Sequence, residues 1–124
     1  MKKKILVTRK LLMENEEKLK ELFDVKLNSK DELYTSDKII ELSKDCDGIL
    51  SAITDQFNKD LIEKLSSSIK IIANFAVGFG NIDVNAAAKK NIVVTNTPEV
   101  LDDSTADISI LLLLGASRKV LEAR

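Results

Sequence analysis

Short apolar runs alternate with amphipathic stretches along the chain. The runs with the length and composition of buried β-strands are residues 4–8, 25–27, 48–53, 71–77 and 92–94. The stretches that place apolar residues at helical spacing are residues 11–23, 36–44, 59–65 and 84–90. Strands that alternate with helices over short loops predict an α/β fold, in which helices cover both faces of a doubly wound, five-stranded parallel sheet.

Polar residues stand at the predicted helix boundaries. Ser36 and Asn58 occupy positions where a side-chain oxygen can accept the free amides of a first helical turn. Asn81 and Asp83 precede the fourth helix, and capping explains both residues better than a catalytic role does. Asn91 can adopt the left-handed conformation that closes a helix.

The last apolar segment does not fit a self-contained domain. Asp102, Asp103 and Ser104 form a helix start, and the pattern predicts a helix through residues 105–124. Residues 108–116 are apolar on every side of that helix. A sheet face can cover only one side, so the other side should expose an apolar patch of a size that is rare in monomers. Either the helix dimerises or more chain follows it, and we favour the second.

The strand predicted at residues 71–77 ends in Gly78-Phe79-Gly80. In open parallel sheets, ligands bind beyond the carboxyl ends of the strands. A glycine there lets a ligand approach the backbone without meeting a Cβ atom, and successive free amides in such a turn form an anion-binding concavity. The alternative is that Gly78 and Gly80 only permit a tight turn from strand to helix.

The same turn also looks like the start of a dinucleotide-binding loop, because it follows a strand and precedes a helix. The third glycine of that fingerprint is absent, since Asp83 occupies its position. An acid at a helix start would repel a pyrophosphate from the helix dipole. We therefore exclude a cofactor from this turn.

Composition narrows the possible functions. The 124 residues suffice for one domain, and a net charge of -1 with 4% aromatic residues argues against a nucleic-acid partner. Cys46 is the only cysteine and the chain has no histidine, so we expect no disulfide framework, no metal site and no imidazole catalysis. The apolar runs are too short for a signal peptide or a membrane span, so we expect a cytoplasmic protein with no membrane partner.

Three motifs carry a resemblance to a known family: NFAVGFGNID at residues 74–83, VVTNTP at 93–98 and LDDSTAD at 101–107. The chain resembles the D-isomer-specific 2-hydroxyacid dehydrogenases, and is most similar to their glyoxylate/hydroxypyruvate reductase branch. The resemblance implies a flavodoxin-like substrate (catalytic) domain at residues 1–103. It also implies that residues 104–124 are a truncated helix, which would cross to a dinucleotide-binding domain missing from this chain.

The resemblance further implies the chemistry. Members of this family interconvert a small 2-oxo acid and its D-2-hydroxy acid with NAD or NADP, and we expect the full-length protein to be a homodimer. The family's catalytic Arg, Glu and His lie in the missing part. We therefore expect no catalytic residue in this chain and no turnover by the chain alone. The competing hypothesis is a non-catalytic module of the same fold that binds a small acid or dimerises.

The resemblance also implies a set of substrate-binding residues. Val77 and Gly78 match the positions that hold the substrate carboxylate in the family. Leu50 and Ser51 match positions that line the substrate pocket, although Leu50 is equally explained as ordinary core. Phe79 forms a pocket wall or simply covers the turn.

The last helix carries one candidate cofactor-binding residue. Thr105 matches a position near the nicotinamide ring in the family, and its alternative is an ordinary residue of a first helical turn. Arg118 and Arg124 come well before the family's catalytic arginine, so neither is assigned that role.

Overall fold

In the computed structural model, which describes residues 1–122, strands and helices alternate and the strands pair in parallel throughout. The strands are β1 (Lys4–Val7), β2 (Asp24–Lys26), β3 (Gly48–Ala52), β4 (Ile71–Phe75) and β5 (Val93–Thr95). The helices are α1 (Met13–Leu22), α2 (Ser36–Ser43), α3 (Lys59–Lys64), α4 (Val84–Lys89) and α5 (Asp102–Ser117). The strand order β2-β1-β3-β4-β5 confirms the predicted α/β sheet.

Three of the strands, β1, β3 and β4, are shorter than their apolar runs, whereas β2 and β5 are shifted by one residue. β4 ends at Phe75, and the Ala76 amide turns back to the Asn74 carbonyl at 2.8 Å. β3 ends at Ala52, whose amide donates to the Asp55 carboxylate at 2.9 Å. In both places a backbone amide binds a nearby acceptor instead of the neighbouring strand, so the strand ends there. The apolar pattern of the sequence does not predict such a bond.

Two predicted N-caps and one predicted helix end are confirmed. Asn58 caps α3 and Asp83 caps α4, and each side-chain oxygen accepts a first-turn amide at 2.9 Å. Asn91, just beyond α4, has a φ of 57°, which is the left-handed conformation expected there. These short polar side chains explain why α3 and α4 form despite having only six residues each.

The second helix has a different cap from the one predicted. Thr35 is the N-cap, and its hydroxyl oxygen accepts the Lys38 amide at 3.3 Å, while Ser36 is the first helical residue. The prediction of Ser36 was wrong by one position. Adjacent hydroxyl side chains have similar capping ability, so the sequence does not distinguish between them.

One face of the sheet packs against α2, α3 and α4, and we call it the covered face. Leu6, Ile49 and Ile72 project from this face into the main hydrophobic cluster, and all are 1% exposed or less. The helix residues of this cluster are Ile39, Leu61, Ile62, Ala86 and Ala87. Phe57, in the loop before α3, fills the centre of the cluster at 0% exposure.

The opposite face, which we call the open face, packs against α1. A groove of about 470 Å³ runs between α1 and the middle of the sheet. Ile71, Phe75 and Val93 on this face are 38%, 59% and 58% exposed. Helices therefore lie on both faces as predicted, but among the described residues α1 leaves this face incompletely covered over β4 and β5. β4 is apolar on both sides, so its sequence does not show which side is less covered.

The helix α5 lies outside the core. Its large apolar residues from Ile108 to Leu114 are 56% to 70% exposed, and none of its residues is buried. We expected the sheet to cover one side of this helix, and that was wrong. A helix that is apolar on every side is normally buried, and none of the described elements buries α5.

The end of α5 also differs from the prediction. The helix ends at Ser117, and Lys119 just beyond it has a φ of 50°. No glycine or proline marks this end, so the pattern predicted a continuous helix to residue 124. Arg124 lies outside the described residues, and the division of the chain at residue 103 stays a prediction. None of the helices described combines the length and apolarity that crossing a bilayer requires.

Candidate functional site

Residues 76–81 connect the carboxyl end of β4 to α4, and we call them the β4 turn. Gly78, Phe79 and Gly80 are exposed, whereas Asn81 is buried at 6% exposure. The Asn81 carbonyl accepts the Phe57 amide at 2.8 Å, which ties the end of the turn to the loop before α3. The turn thus presents its backbone to solvent while its last residue is anchored in the core.

The carbonyl groups of the β4 turn are held from within the protein. Four successive carbonyl oxygens, from Ala76 to Phe79, each accept a hydrogen bond. The donors are, in order, the Thr97 amide at 2.9 Å, the Asn96 side chain at 2.7 Å, the Asn74 side chain at 3.0 Å and the Ile82 amide at 3.0 Å.

The amide groups of the same peptides are free. Among residues 1–122, no protein acceptor binds the N–H groups of the four residues from Val77 to Gly80. The C=O and N–H of a trans peptide point in opposite directions, and the structure contains no cis bond in its described part. Holding the carbonyls inward therefore turns four successive donors outward, an arrangement that suits an anion.

The two glycines of the turn are not required by its backbone conformation. Neither Gly78 nor Gly80 has a positive φ, so the turn does not use glycine for a left-handed backbone conformation. A Cβ atom built on either residue meets nothing within 4 Å. What glycine provides at these positions is open space in front of the amides, through which a ligand can approach.

A buried polar cluster lies beneath the turn and consists of Ser51, Asn74 and Asn81. Ser51 donates to the Asn74 side-chain oxygen at 3.1 Å, and Asn74 donates to the Asn81 side-chain oxygen at 3.0 Å. Asn81 in turn donates to the carbonyls of Ala52 at 3.2 Å and Asp55 at 2.9 Å. The prediction that Asn81 caps α4 was wrong, because its side chain points into this cluster and Asp83 alone caps the helix.

Sequence reasoning missed Asn74 as a structural support of the turn. Its side chain is 2% exposed, and it lies in β4 between apolar neighbours. An isolated amide within a buried strand was the available signal, because such a group must find hydrogen-bond partners.

The predicted site residues separate into two groups. Val77, Gly78 and Phe79 lie in the β4 turn, with Phe79 51% exposed, and Ser51 lies beneath it at 1% exposure. Leu50 points to the open face instead, because neighbouring residues of a strand alternate between faces. It is half-buried in a groove against α1, beside Leu11, Leu19 and Phe75.

Thr105 stands apart from the turn. It lies in the first turn of α5, where its amide donates to the Leu101 carbonyl at 2.9 Å and its carbonyl accepts the Ser109 hydroxyl at 2.8 Å. Its side chain is exposed with the rest of the helix. The roles of all six predicted binding residues stay predictions.

The β4 turn does not fit a dinucleotide. The carboxylate of Asp83 already occupies the N-terminus of α4 and accepts the Ala86 amide. A pyrophosphate at that end would meet a negative charge instead of free amides. The sequence-based exclusion of a cofactor from this turn agrees with that arrangement.

One ion pair ties loops at the carboxyl ends of the strands. The Arg9 guanidinium donates to both Asp31 oxygens, at 2.7 Å and 3.0 Å, and to the Thr54 hydroxyl at 2.8 Å. These bonds, with a further one from the Lys10 amide, hold the pKa of Asp31 well below its ordinary value. Arg9 is thus committed to a loop contact.

The fold and the turn together define a class: a doubly wound α/β domain with a row of free backbone amides beyond the carboxyl end of one central strand. The chain belongs to the D-isomer specific 2-hydroxyacid dehydrogenase family, since the family's catalytic-domain model matches residues 5–122. It is 44% identical to a glyoxylate reductase of Korarchaeum cryptofilum, covering 99% of this chain and 37% of that protein.

Solved structures agree with this assignment. A 2-hydroxyacid dehydrogenase from Polaromonas has a TM-score of 0.85 at 31% identity over 94% of this chain and 36% of its own. An NADPH-dependent glyoxylate/hydroxypyruvate reductase from Sinorhizobium meliloti, in complex with NADP and malonate, has a TM-score of 0.74 at 34% identity over 93% of this chain and 34% of its own. The chain therefore spans little more than a third of these relatives.

Proposed function

We propose that this chain is the substrate-binding part of an NAD(P)-dependent oxidoreductase that interconverts a small 2-oxo acid and its D-2-hydroxy acid. Glyoxylate or hydroxypyruvate is the type of acid we propose, and the β4 turn would bind its carboxylate. The observation that carries the proposal is the row of four peptide groups whose carbonyls are held inward and whose amides are free.

The chemistry of the turn favours a carboxylate over a neutral ligand. Backbone amides that lack a protein partner bind an anion through charge-assisted hydrogen bonds, which are shorter and stronger than neutral ones. The open space before Gly78 and Gly80 admits a small planar group. The relative from Sinorhizobium was solved with malonate, a small dicarboxylate, which is consistent with this ligand class.

The proposed roles follow the placement of each residue. Val77 and Gly78 would bind the carboxylate through their amides, and Phe79 would form a wall beside it. Leu50 and Thr105 would line more distant parts of the pocket, on the open face and on α5. A nicotinamide cofactor supplies or accepts the hydride in this class of enzyme. The described residues form no cradle for it, so we assign no step of that transfer to this chain.

The test is a titration of the isotope-labelled chain with glyoxylate, followed by NMR. We expect the largest shift changes at the amides from Val77 to Gly80, and much smaller ones with glycolaldehyde, which has the same two-carbon skeleton and no carboxylate. Shift changes that avoid this turn, or that are equal for the two compounds, would contradict the proposal.

A variant pair sharpens the titration. Gly78→Ala places a methyl group in the open space before the amides without backbone strain, because Gly78 does not have a positive φ. We expect its glyoxylate affinity to fall about tenfold or more, while its unfolding free energy stays equal or rises by roughly 0.4–1 kcal/mol. Gly115→Ala, in α5, is the matched control, since it makes the same change away from the turn and should leave affinity unchanged.

A second candidate function is a dimerisation module, and the exposed apolar surface of α5 favours it. Sedimentation of the purified chain distinguishes the two. A stable, soluble dimer that a Leu113→Glu substitution converts to monomer would favour the module. Aggregation without a defined size would favour the first proposal, in which the chain is the substrate-binding part of a larger enzyme. We propose that this larger enzyme is a homodimer.

A further inference from the structure

The Asn74 side chain is oriented without ambiguity by its neighbours. One of its Nδ2 hydrogens binds the Gly78 carbonyl at 3.0 Å and the other binds the Asn81 side-chain oxygen at 3.0 Å. A carbonyl only accepts hydrogen bonds, so the atom facing it must be the nitrogen. Ser51 then donates to the remaining oxygen at 3.1 Å, which leaves Asn74 no other orientation.

This contact fixes one particular donor of the turn. The Gly78 carbonyl and the Phe79 amide belong to the same planar peptide and point in opposite directions. Pulling the carbonyl inward with Asn74 therefore points the Phe79 N–H outward. The neighbouring Gly78 N–H is set independently, because its peptide is held by Asn96 through the Val77 carbonyl.

We propose that Asn74 is a positioning residue: held by Ser51 and Asn81, it aims the Phe79 amide at the ligand carboxylate. This inference rests on the proposed function, since it presupposes that the turn binds a carboxylate. Asn74 itself is 2% exposed and lies behind the peptide, so it acts through the backbone and does not touch the ligand. The proposal also gives Ser51 a role at the site that requires no contact with substrate.

The test substitutes Asn74→Leu, which keeps the approximate size of the side chain, removes both donors and excludes a replacing water. We expect glyoxylate affinity to fall about tenfold, as is typical when a hydrogen bond to a charged group is lost. We also expect the ligand-induced shift of the Phe79 amide to disappear, while those of Val77 and Gly78 persist. A purely structural role would weaken all three responses together.

Asn28→Leu is the matched control. Asn28 is 3% exposed, and its side-chain nitrogen donates to the carbonyls of Thr8 at 2.8 Å and Glu32 at 2.7 Å, away from the β4 turn. It should lose stability as Asn74→Leu does, without a change in glyoxylate affinity. If Asn74→Leu does not fold, Ser51→Ala replaces it, because that variant removes one of the bonds that orient Asn74, the one from the Ser51 hydroxyl to its side-chain oxygen. Ser51→Ala should reduce the Phe79 response selectively.

The outcomes separate this inference from the proposed function. If the unsubstituted chain shows no glyoxylate shifts at the turn, the proposed function fails. If it does, and the substituted chain binds glyoxylate with equal affinity and an unchanged Phe79 response, the positioning role of Asn74 is overturned while the proposed function stands.

Discussion

The two faces of the sheet are apolar to a similar degree and differ in what lies against them. Phe57 on the covered face is 0% exposed among three helices, whereas Phe75 on the open face is 59% exposed. Neighbouring residues of one strand show the same contrast, since Ile72 is 0% exposed and Ile71 is 38% exposed. Apolar residues in a strand therefore show that a sheet face can be buried. Whether it is buried depends on which helices pack against that face.

The largest expected effect compares the two phenylalanines directly. Phe57→Ala should lower the unfolding free energy by about 3–5 kcal/mol, because it leaves a cavity in a packed cluster. Phe75→Ala should change it by less than about 0.5 kcal/mol, since most of that ring is already in water. Chemical denaturation of the two variants measures both values.

Cys46 provides a second readout of the same comparison. It is 1% exposed within the covered cluster, and burial raises the pKa of its thiol. Its reaction with a thiol reagent should be slow in the unsubstituted chain and in Phe75→Ala, and clearly faster in Phe57→Ala. Equal destabilisation by the two substitutions would show that something covers the open face in solution.

A smaller effect is expected where the two strands at the centre of the sheet approach each other. A Cβ atom at Gly48 would lie 2.8 Å from Cγ2 of Ile71, which is too close for carbon atoms. Gly48→Ala should therefore cost about 1–3 kcal/mol. Adding Ile71→Ala removes the clashing methyl group from the open face, where space is available. The double variant should recover most of the unfolding free energy that Gly48→Ala loses. If the effects of the two substitutions on the unfolding free energy simply add, this explanation is contradicted.

The smallest effect concerns the edge of the sheet, which belongs to neither face. The Asp45 carboxylate accepts hydrogen bonds from Lys26 and Lys4, and these lower the pKa of Asp45. A carboxyl whose folded pKa lies below the ordinary value of about 3.9 stabilises the fold above that pH, and loses this contribution as the pH falls toward the folded pKa. The unfolding free energy should therefore fall below about pH 4, and fall less in Asp45→Asn.

Because Asp45 is exposed, solvent screens this contribution and it should be modest. The acid-induced loss should be equal in Phe57→Ala and Phe75→Ala, since both keep the ion pairs. A different acid slope in the two variants, measured by denaturation at several pH values, would show that the edge and the faces are coupled.

The sequence predicted the elements well because their signals are local. Apolar runs of strand length predicted the strands, and short polar side chains such as Asn58 and Asp83 predicted where helices start. The resemblance motifs predicted the family that the comparison of residues 5–122 shows. These features depend on a few neighbouring residues, so a single chain suffices to recognise them.

The misses concern contacts between distant residues. Asn81 was predicted to be a helix cap, but its side chain donates to the Asp55 carbonyl, 26 residues away in sequence, and only the fold brings the two together. The exposure of Phe75 and of α5 depends on which elements pack together, and hydrophobicity does not specify that. The candidate glycines were identified with two possible reasons, open space for a ligand and a tight turn, and the sequence did not distinguish them. Their φ values are not positive and a Cβ atom on either residue would meet nothing within 4 Å, which only the structure reveals.

The donors of the β4 turn belong to the main chain, whereas the Phe79 side chain beside them is half exposed. Evolution can therefore exchange residue 79 without altering the amides beside it. Under the proposed function, selectivity among acids and carboxylate binding would be separate traits in this scaffold. A substitution of residue 79 would change which acids fit, while the backbone amides proposed to bind the carboxylate would stay the same.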